Sequence, residues 1–133
     1  MAAPGSRPLS PHLQIWRWGP GMVSSILHRV TGVGATVGLV LLLWWLGALV
    51  SGPESYAAFT ELFWGPNDWQ VLLKIVVVGC SWALISHALT GLRHFVLDTG
   101  AGFELKANNA WATITTIAGF IVTAAFWAVL LLR

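Results

Sequence analysis

The sequence predicts an all-α membrane protein built from three transmembrane helices. Hydrophobic residues make up 56% of the 133-residue chain and charged residues only 9%, with a mean hydropathy of +0.74, far from the averages of water-soluble domains. Apolar runs recur at lengths that cross a hydrocarbon layer roughly 30 Å thick, for which about 20 helical residues suffice. The helices are expected at about 24–50, 69–97 and 110–132, so that residues 21–133 form one transmembrane domain behind an amino-terminal arm, 1–20.

The arm carries Pro4, Pro8, Pro11 and Pro20 with polar residues between them, which predicts an irregular segment on the membrane surface. Trp16 and Trp18 flank Arg17, a composition suited to the headgroup layer. The first 25 residues hold Arg7 and Arg17 but no apolar run, so they lack the regions of a cleaved secretion signal. The first transmembrane helix is expected to direct insertion itself.

Helix one follows from Ser24-Ser25-Ile26-Leu27-His28-Arg29, which leads into the uncharged run Val30 to Val50. At about 1.5 Å per residue that run reaches roughly 31 Å. Gly34 and Gly38 form a G-x-x-x-G with Gly32 nearby, which permits close helix approach or is ordinary membrane-helix composition. Ser51 to Asp68 reads as a loop with Glu54, Glu61 and Asp68 and neither lysine nor arginine; Trp64 and Trp69 mark the return to the membrane. Helix two has Lys74 near its start and Arg93 and Asp98 near its end; a lysine stem at that depth carries its ammonium to the interface. A second loop, Thr99 to Asn109, holds Gly100, Gly102, Glu104 and Lys106. Helix three has no ionisable side chain and has Trp111 and Trp127 near its ends, which assigns it to packing and anchorage.

Orientation follows from the basic residues. The arm and the second loop gather Arg7, Arg17, Arg29, Arg93 and Lys106, whereas the first loop and carboxyl end have only Lys74 and Arg133 nearby. The positive-inside rule then places the amino terminus in the cytoplasm and the carboxyl terminus outside. Ser25, His28, Arg29, His87, Arg93 and His94 are brought toward one membrane face.

Composition also excludes. The single cysteine, Cys80, cannot form an intrachain disulfide and reads as packing; without a C-x-x-C-H motif, any haem is held non-covalently. The net charge of +2 and the scattered basic residues argue against nucleic acid as a partner.

The residue that most requires explanation is His87, because a chain that spans a bilayer avoids buried imidazole unless a ligand, proton relay or hydrogen bond needs it. On a helix His87, Gly91 and His94 stand at i, i+4 and i+7 and share a face. Gly91 would leave a gap suited to a flat ligand such as a porphyrin. His87 could thus be a haem ligand, a proton-relay residue or an interhelical hydrogen-bond donor. His94 sits beside Arg93 at the interface, where a propionate or solvent partner suits it better than iron. Ser25, His28 and Arg29, at i, i+3 and i+4, form a second cluster. Hydroxyl, imidazole and guanidinium there could bind a carbonyl oxygen of a lipid-soluble ligand or anionic propionates. Equally, Ser25 could cap the helix and Arg29 mark its boundary.

Three stretches carry a family resemblance: Arg7-Pro8-Leu9-Ser10-Pro11-His12-Leu13 with Ile15 to Trp18; Ser24 to Gly32, reading S-S-I-L-H-R-V-T-G; and His87 to Asp98, reading H-A-L-T-G-L-R-H-F-V-L-D. In this order, on a chain of this size, the sequence resembles the cytochrome b (large membrane-anchor) subunit of succinate dehydrogenase, respiratory complex II. The resemblance implies that His87 is an axial ligand of haem b iron. It implies that Ser25 and Arg29 contact ubiquinone, that Arg29 and His28 lie near haem propionates, and that His94 and Arg93 belong to the haem surroundings. It also implies a helical bundle completed by a second small membrane-anchor subunit, with iron–sulfur and flavoprotein subunits docked on the cytoplasmic face of a bacterial inner membrane.

The residues agree with that assignment. This chain offers one histidine at hydrocarbon depth, so a bis-histidine haem takes its second ligand from another polypeptide. No Gly-rich nucleotide fingerprint and no cysteine cluster is present, so succinate oxidation resides in partner chains. The rivals are a haem-free structural anchor of a related fumarate reductase and a small transporter or proton-channel subunit. The second lacks an additional intramembrane acid.

Overall fold

The computed structural model describes residues 12–132; expectations for the preceding arm residues, Arg7 among them, and for Arg133 lie outside the described residues. The elements are α1 (His12–Ile15), α2 (Pro20–Val50), α3 (Pro53–Trp64), α4 (Trp69–Asp98) and α5 (Leu105–Leu131). Of these, α2, α4 and α5 are long and apolar enough to cross a membrane, and each packs on the other two.

The helix ends depart from expectation for local reasons. Helix α2 starts at Pro20 rather than near Ser24, because proline at the first helical position needs no N–H partner. Extended Gly19 turns its carbonyl to the N–H groups of Met22 and Val23, both at 3.1 Å. Helix α5 starts at Leu105 rather than Ala110: the Glu104 carboxylate accepts from the N–H groups of Lys106 (3.2 Å) and Ala107 (2.8 Å). This cap satisfies free donors and places negative charge at the positive end of the helix dipole.

The segment expected to be a loop between the first two spans contains α3. Pro53 takes its first turn together with Glu54, and Phe59 and Phe63, one turn apart, are buried with Ala48 of α2. Leu41, Trp45, Leu73 and Val77 pack against this cluster. Gln70, almost wholly buried, closes the far end of α3: its amide donates to the carbonyls of Glu61 and Leu62 (3.0 Å) and accepts from the Asn67 N–H at 2.8 Å. Carbonyls left over at a helix end are thereby satisfied, and the chain turns directly into α4.

Between the three long helices the interior is made of small and hydroxyl side chains. Ser24 and Thr31 of α2, Ala83, Ser86 and Thr90 of α4, and Ala112, Thr115, Gly119 and Thr123 of α5 are buried, while Val33, Leu43, Ile75 and Ile121 point outward. In lipid, apolar side chains gain little by hiding from their surroundings, and close backbone approach takes over as the source of cohesion. Gly34 and Gly38 show the approach: a Cβ at either would stand 2.8 Å from Ala83 Cβ or 3.0 Å from Cys80 Cβ. Three of the buried threonines bond within their own helices, Thr31 to the carbonyl of His28 (3.1 Å), Thr115 to Trp111 (2.9 Å) and Thr123 to Gly119 (2.7 Å).

Candidate functional site

Where α2 and α4 cross near the start of one and the end of the other, three histidines come together. The His28 ring lies parallel to that of His87, with centroids 3.9 Å apart and an interplanar angle of 7°. It also faces His94 at 4.7 Å and 29°. All three are half-buried. The i to i+7 spacing of His87 and His94 does put both on the α2 side of α4, as expected. The face above Gly91 is not left open, however: a Cβ there would meet His28 Cε1 at 4.0 Å. An imidazole of the neighbouring helix, rather than a gap, stands over that glycine.

Each α4 histidine is oriented through one ring nitrogen. His87 Nδ1 lies 3.0 Å from the carbonyl oxygen of His28, and His94 Nδ1 lies 2.8 Å from that of Thr90. A carbonyl can only accept, so in both rings Nδ1–H is the donor; in the neutral ring this leaves the lone pair on Nε2. That is how a protein fixes the tautomer and aim of a metal-ligating histidine. Gly32 provides the space, since a Cβ at this position would be 3.0 Å from His87 Cε1 and 3.3 Å from Nδ1. The role of Gly32 was not legible beforehand, although its place one turn after His28 was.

His28 differs from the other two because its Nδ1 is buried without a hydrogen-bond partner among the described residues. A buried polar atom in this condition calls for a partner, which an ordered water, a ligand or another chain can supply. The rings stack side by side instead of converging, and among the described residues no three His, Cys, Asp or Glu side chains form an ion-binding group. Of the three, His87 is the one whose ring is fixed from the neighbouring helix, through the His28 carbonyl.

Ser25 and Arg29 lie one turn apart on α2 at the same end of the bundle, Ser25 half-buried and Arg29 exposed. Arg93 does not join them. Adjacent residues on a helix point about 100° apart, and the Arg93 guanidinium turns from the histidines toward α5, where it donates to Asn108 Oδ1. The neighbour of Ser25, Ser24, is buried, and its hydroxyl has no partner among the described residues. Neither Asn108 nor Ser24 was singled out from the sequence; both are polar residues just inside a helix start, a weak mark on its own.

Comparison with known proteins identifies the relatives of this arrangement. Residues 4–126 match the family described as succinate dehydrogenase/fumarate reductase transmembrane subunit. The succinate dehydrogenase cytochrome b556 subunit of Paracoccus denitrificans is 40% identical over 120 residues, covering 90% of this chain and 88% of the relative. That of Rickettsia felis is 33% identical over 121 residues, covering 91% and 90%. The mitochondrial cytochrome b560 subunit of Sus scrofa is 32% identical over 123 residues, covering 90% and 71%.

Proposed function

From the premise that the chain belongs to the succinate dehydrogenase/fumarate reductase transmembrane subunit family, we propose that it is the anchor that helps hold haem b and ubiquinone in succinate:ubiquinone oxidoreductase. The observation that carries this reading is the oriented histidine group, with His87 tied to the His28 carbonyl through Nδ1 and Nε2 left available. His87 would be the axial ligand. His28, Arg29 and His94 would surround the haem, the orphaned Nδ1 of His28 meeting a propionate or a group of the partner. When bound, haem b supplies reversible one-electron storage, tuned by its axial ligands and burial. The cytochrome names of the relatives agree with such a cofactor.

Ser25 and Arg29 would take the quinone head. Their position at the bundle end lets a polar ring meet the hydroxyl and guanidinium while the isoprenoid tail stays in lipid. The hydroxyl donates to a quinone oxygen, and the guanidinium stabilises negative charge that develops there on reduction. The chain does not oxidise succinate itself. A flavoprotein and an iron–sulfur subunit would dock at the cytoplasmic side, and a second small membrane-anchor subunit would supply the other axial ligand. The amino terminus lies in the cytoplasm under the positive-inside rule, in the inner membrane of a bacterium.

The complex purified through a tag on this chain should give a b-type band in a reduced-minus-oxidised visible spectrum. Absence of that band from an intact complex would leave the haem-free structural anchor as the reading.

A further inference from the structure

We propose that the cleft between α4 and α5, at the histidine end of the bundle, binds one anionic phospholipid whose phosphate is held by Arg93. The cleft encloses about 250 Å³ between Leu89, Leu92, Arg93, Val96, Trp111 and Ile114. Arg93 is only 8% exposed, its hydrogen-bond partner is the neutral amide of Asn108, and its Nε is buried with no partner among the described residues. A guanidinium taken out of water without a counter-charge is costly and calls for an anion. The carboxylates nearest in sequence do not supply one. Asp98 is exposed, and the Glu104 oxygens accept from the Lys106 and Ala107 N–H groups.

The chemistry of the walls selects a lipid. Apart from Arg93 and Asn108 the cleft is mainly hydrocarbon, and Leu92, Val96, Trp111 and Ile114 are exposed along its outer edge, so it opens to whatever surrounds the bundle. Arg93 stands five residues before the end of α4 and Asn108 three after the start of α5, about 7.5 Å and 4.5 Å along the helix axes. That depth is where lipid phosphates meet acyl chains, and Trp111 is the residue type that favours it. A phospholipid places an acyl chain along the apolar walls and a phosphate oxygen on Nε and Nη of Arg93, a geometry the planar guanidinium suits. An anionic headgroup neutralises the site outright, whereas a zwitterionic one brings its own ammonium beside the guanidinium.

The test uses the intact membrane complex, stripped of lipid in detergent and titrated with dioleoyl phosphatidylglycerol or dioleoyl phosphatidylcholine under native mass spectrometry. The wild type should hold one phosphatidylglycerol about ten-fold more tightly than phosphatidylcholine, the scale of one charge-assisted hydrogen bond. Arg93→Gln should lose the preference and Arg93→Lys should keep it. Ala118→Leu, which fills the cleft while the guanidinium remains, should abolish binding of both lipids at this stoichiometry. Equal affinities in the wild type, or a preference that survives Arg93→Gln, overturn the proposal. If Arg93→Gln does not assemble, a preference that survives Ala118→Leu overturns it instead. A photo-reactive residue at Leu92 should capture phosphatidylglycerol; an adduct to another subunit means that a protein covers the cleft and defeats the assignment.

Discussion

At one end of the α2–α4 seam the chain packs aromatic hydrocarbon, and at the other it packs imidazole. Phe59 and Phe63 stack at 4.7 Å with Trp44 edge-on to both, at 5.3 and 5.7 Å, over Ala48. His28, His87 and His94 stack at similar spacing. The geometry is alike but the requirements differ. Phenyl rings have no polar atom to satisfy, so contact with their neighbours completes them. Each imidazole brings a nitrogen that a hydrocarbon environment cannot serve. One His28 nitrogen is buried without a partner among the described residues. The Phe59 and Phe63 rings make no demand that hydrocarbon cannot meet, whereas the histidine end holds a nitrogen that needs a polar partner.

The largest test of that contrast is His87→Ala in the assembled complex. It should remove or grossly alter the b-type spectrum, while His94→Ala changes it much less, because His94 is held by its own helix at Thr90. An unchanged spectrum and midpoint potential in the His87 variant would end its candidacy as ligand.

Phe63→Ala should do the opposite. It removes a nearly inaccessible ring and should destabilise the subunit by about 3–5 kcal/mol, seen as a lower denaturation midpoint, with the spectrum of the remaining folded complex preserved. If it instead removes the haem band from folded complex, the two ends are not separable.

Next in size are Ser25→Ala and Arg29→Leu. Loss of a hydrogen bond to a charged group costs about 1.5–3 kcal/mol, so apparent quinone affinity should fall roughly ten-fold or more. Electron transfer from succinate to a soluble acceptor upstream should stay near wild type. A parallel fall in both assays would place the defect outside a quinone site.

Gly32→Ala is the finest probe. The added methyl must displace the His87 ring by a few tenths of an ångström, so the spectrum or midpoint potential should shift without loss of the band. Gly47→Ala, where a Cβ meets open space, is the control. Equal behaviour of the two variants would show that the His87 ring position is not set by Gly32.

The three spans were legible because an uninterrupted apolar run has few alternatives in lipid. Helix α3 was not, since charged residues and turn formers dominate its neighbourhood and hid the i, i+4 pair Phe59 and Phe63. For the site, local spacing sufficed to place His87 with His94 on α4, and Ser25 with His28 and Arg29 on α2. It did not show that His28 stacks on both α4 histidines, which depends on a helix crossing that brings together His28 and His87, fifty-nine residues apart along the chain. Nor did it separate Arg93 from His94, neighbours whose side chains serve different helix interfaces.

The threonines of the interior bear on how the subunit is made. Thr31 of α2 and Thr115 and Thr123 of α5 satisfy their hydroxyls on carbonyls of their own helices, so these groups leave the translocon already served, whereas the buried polar atoms of Ser24, Trp82 and Ser86 find no partner among the described residues. For these three hydroxyls insertion can precede the closing of the small-residue faces. The histidine group does not share this self-sufficiency, since His87 Nδ1 finds its acceptor, the His28 carbonyl, only when α2 and α4 join.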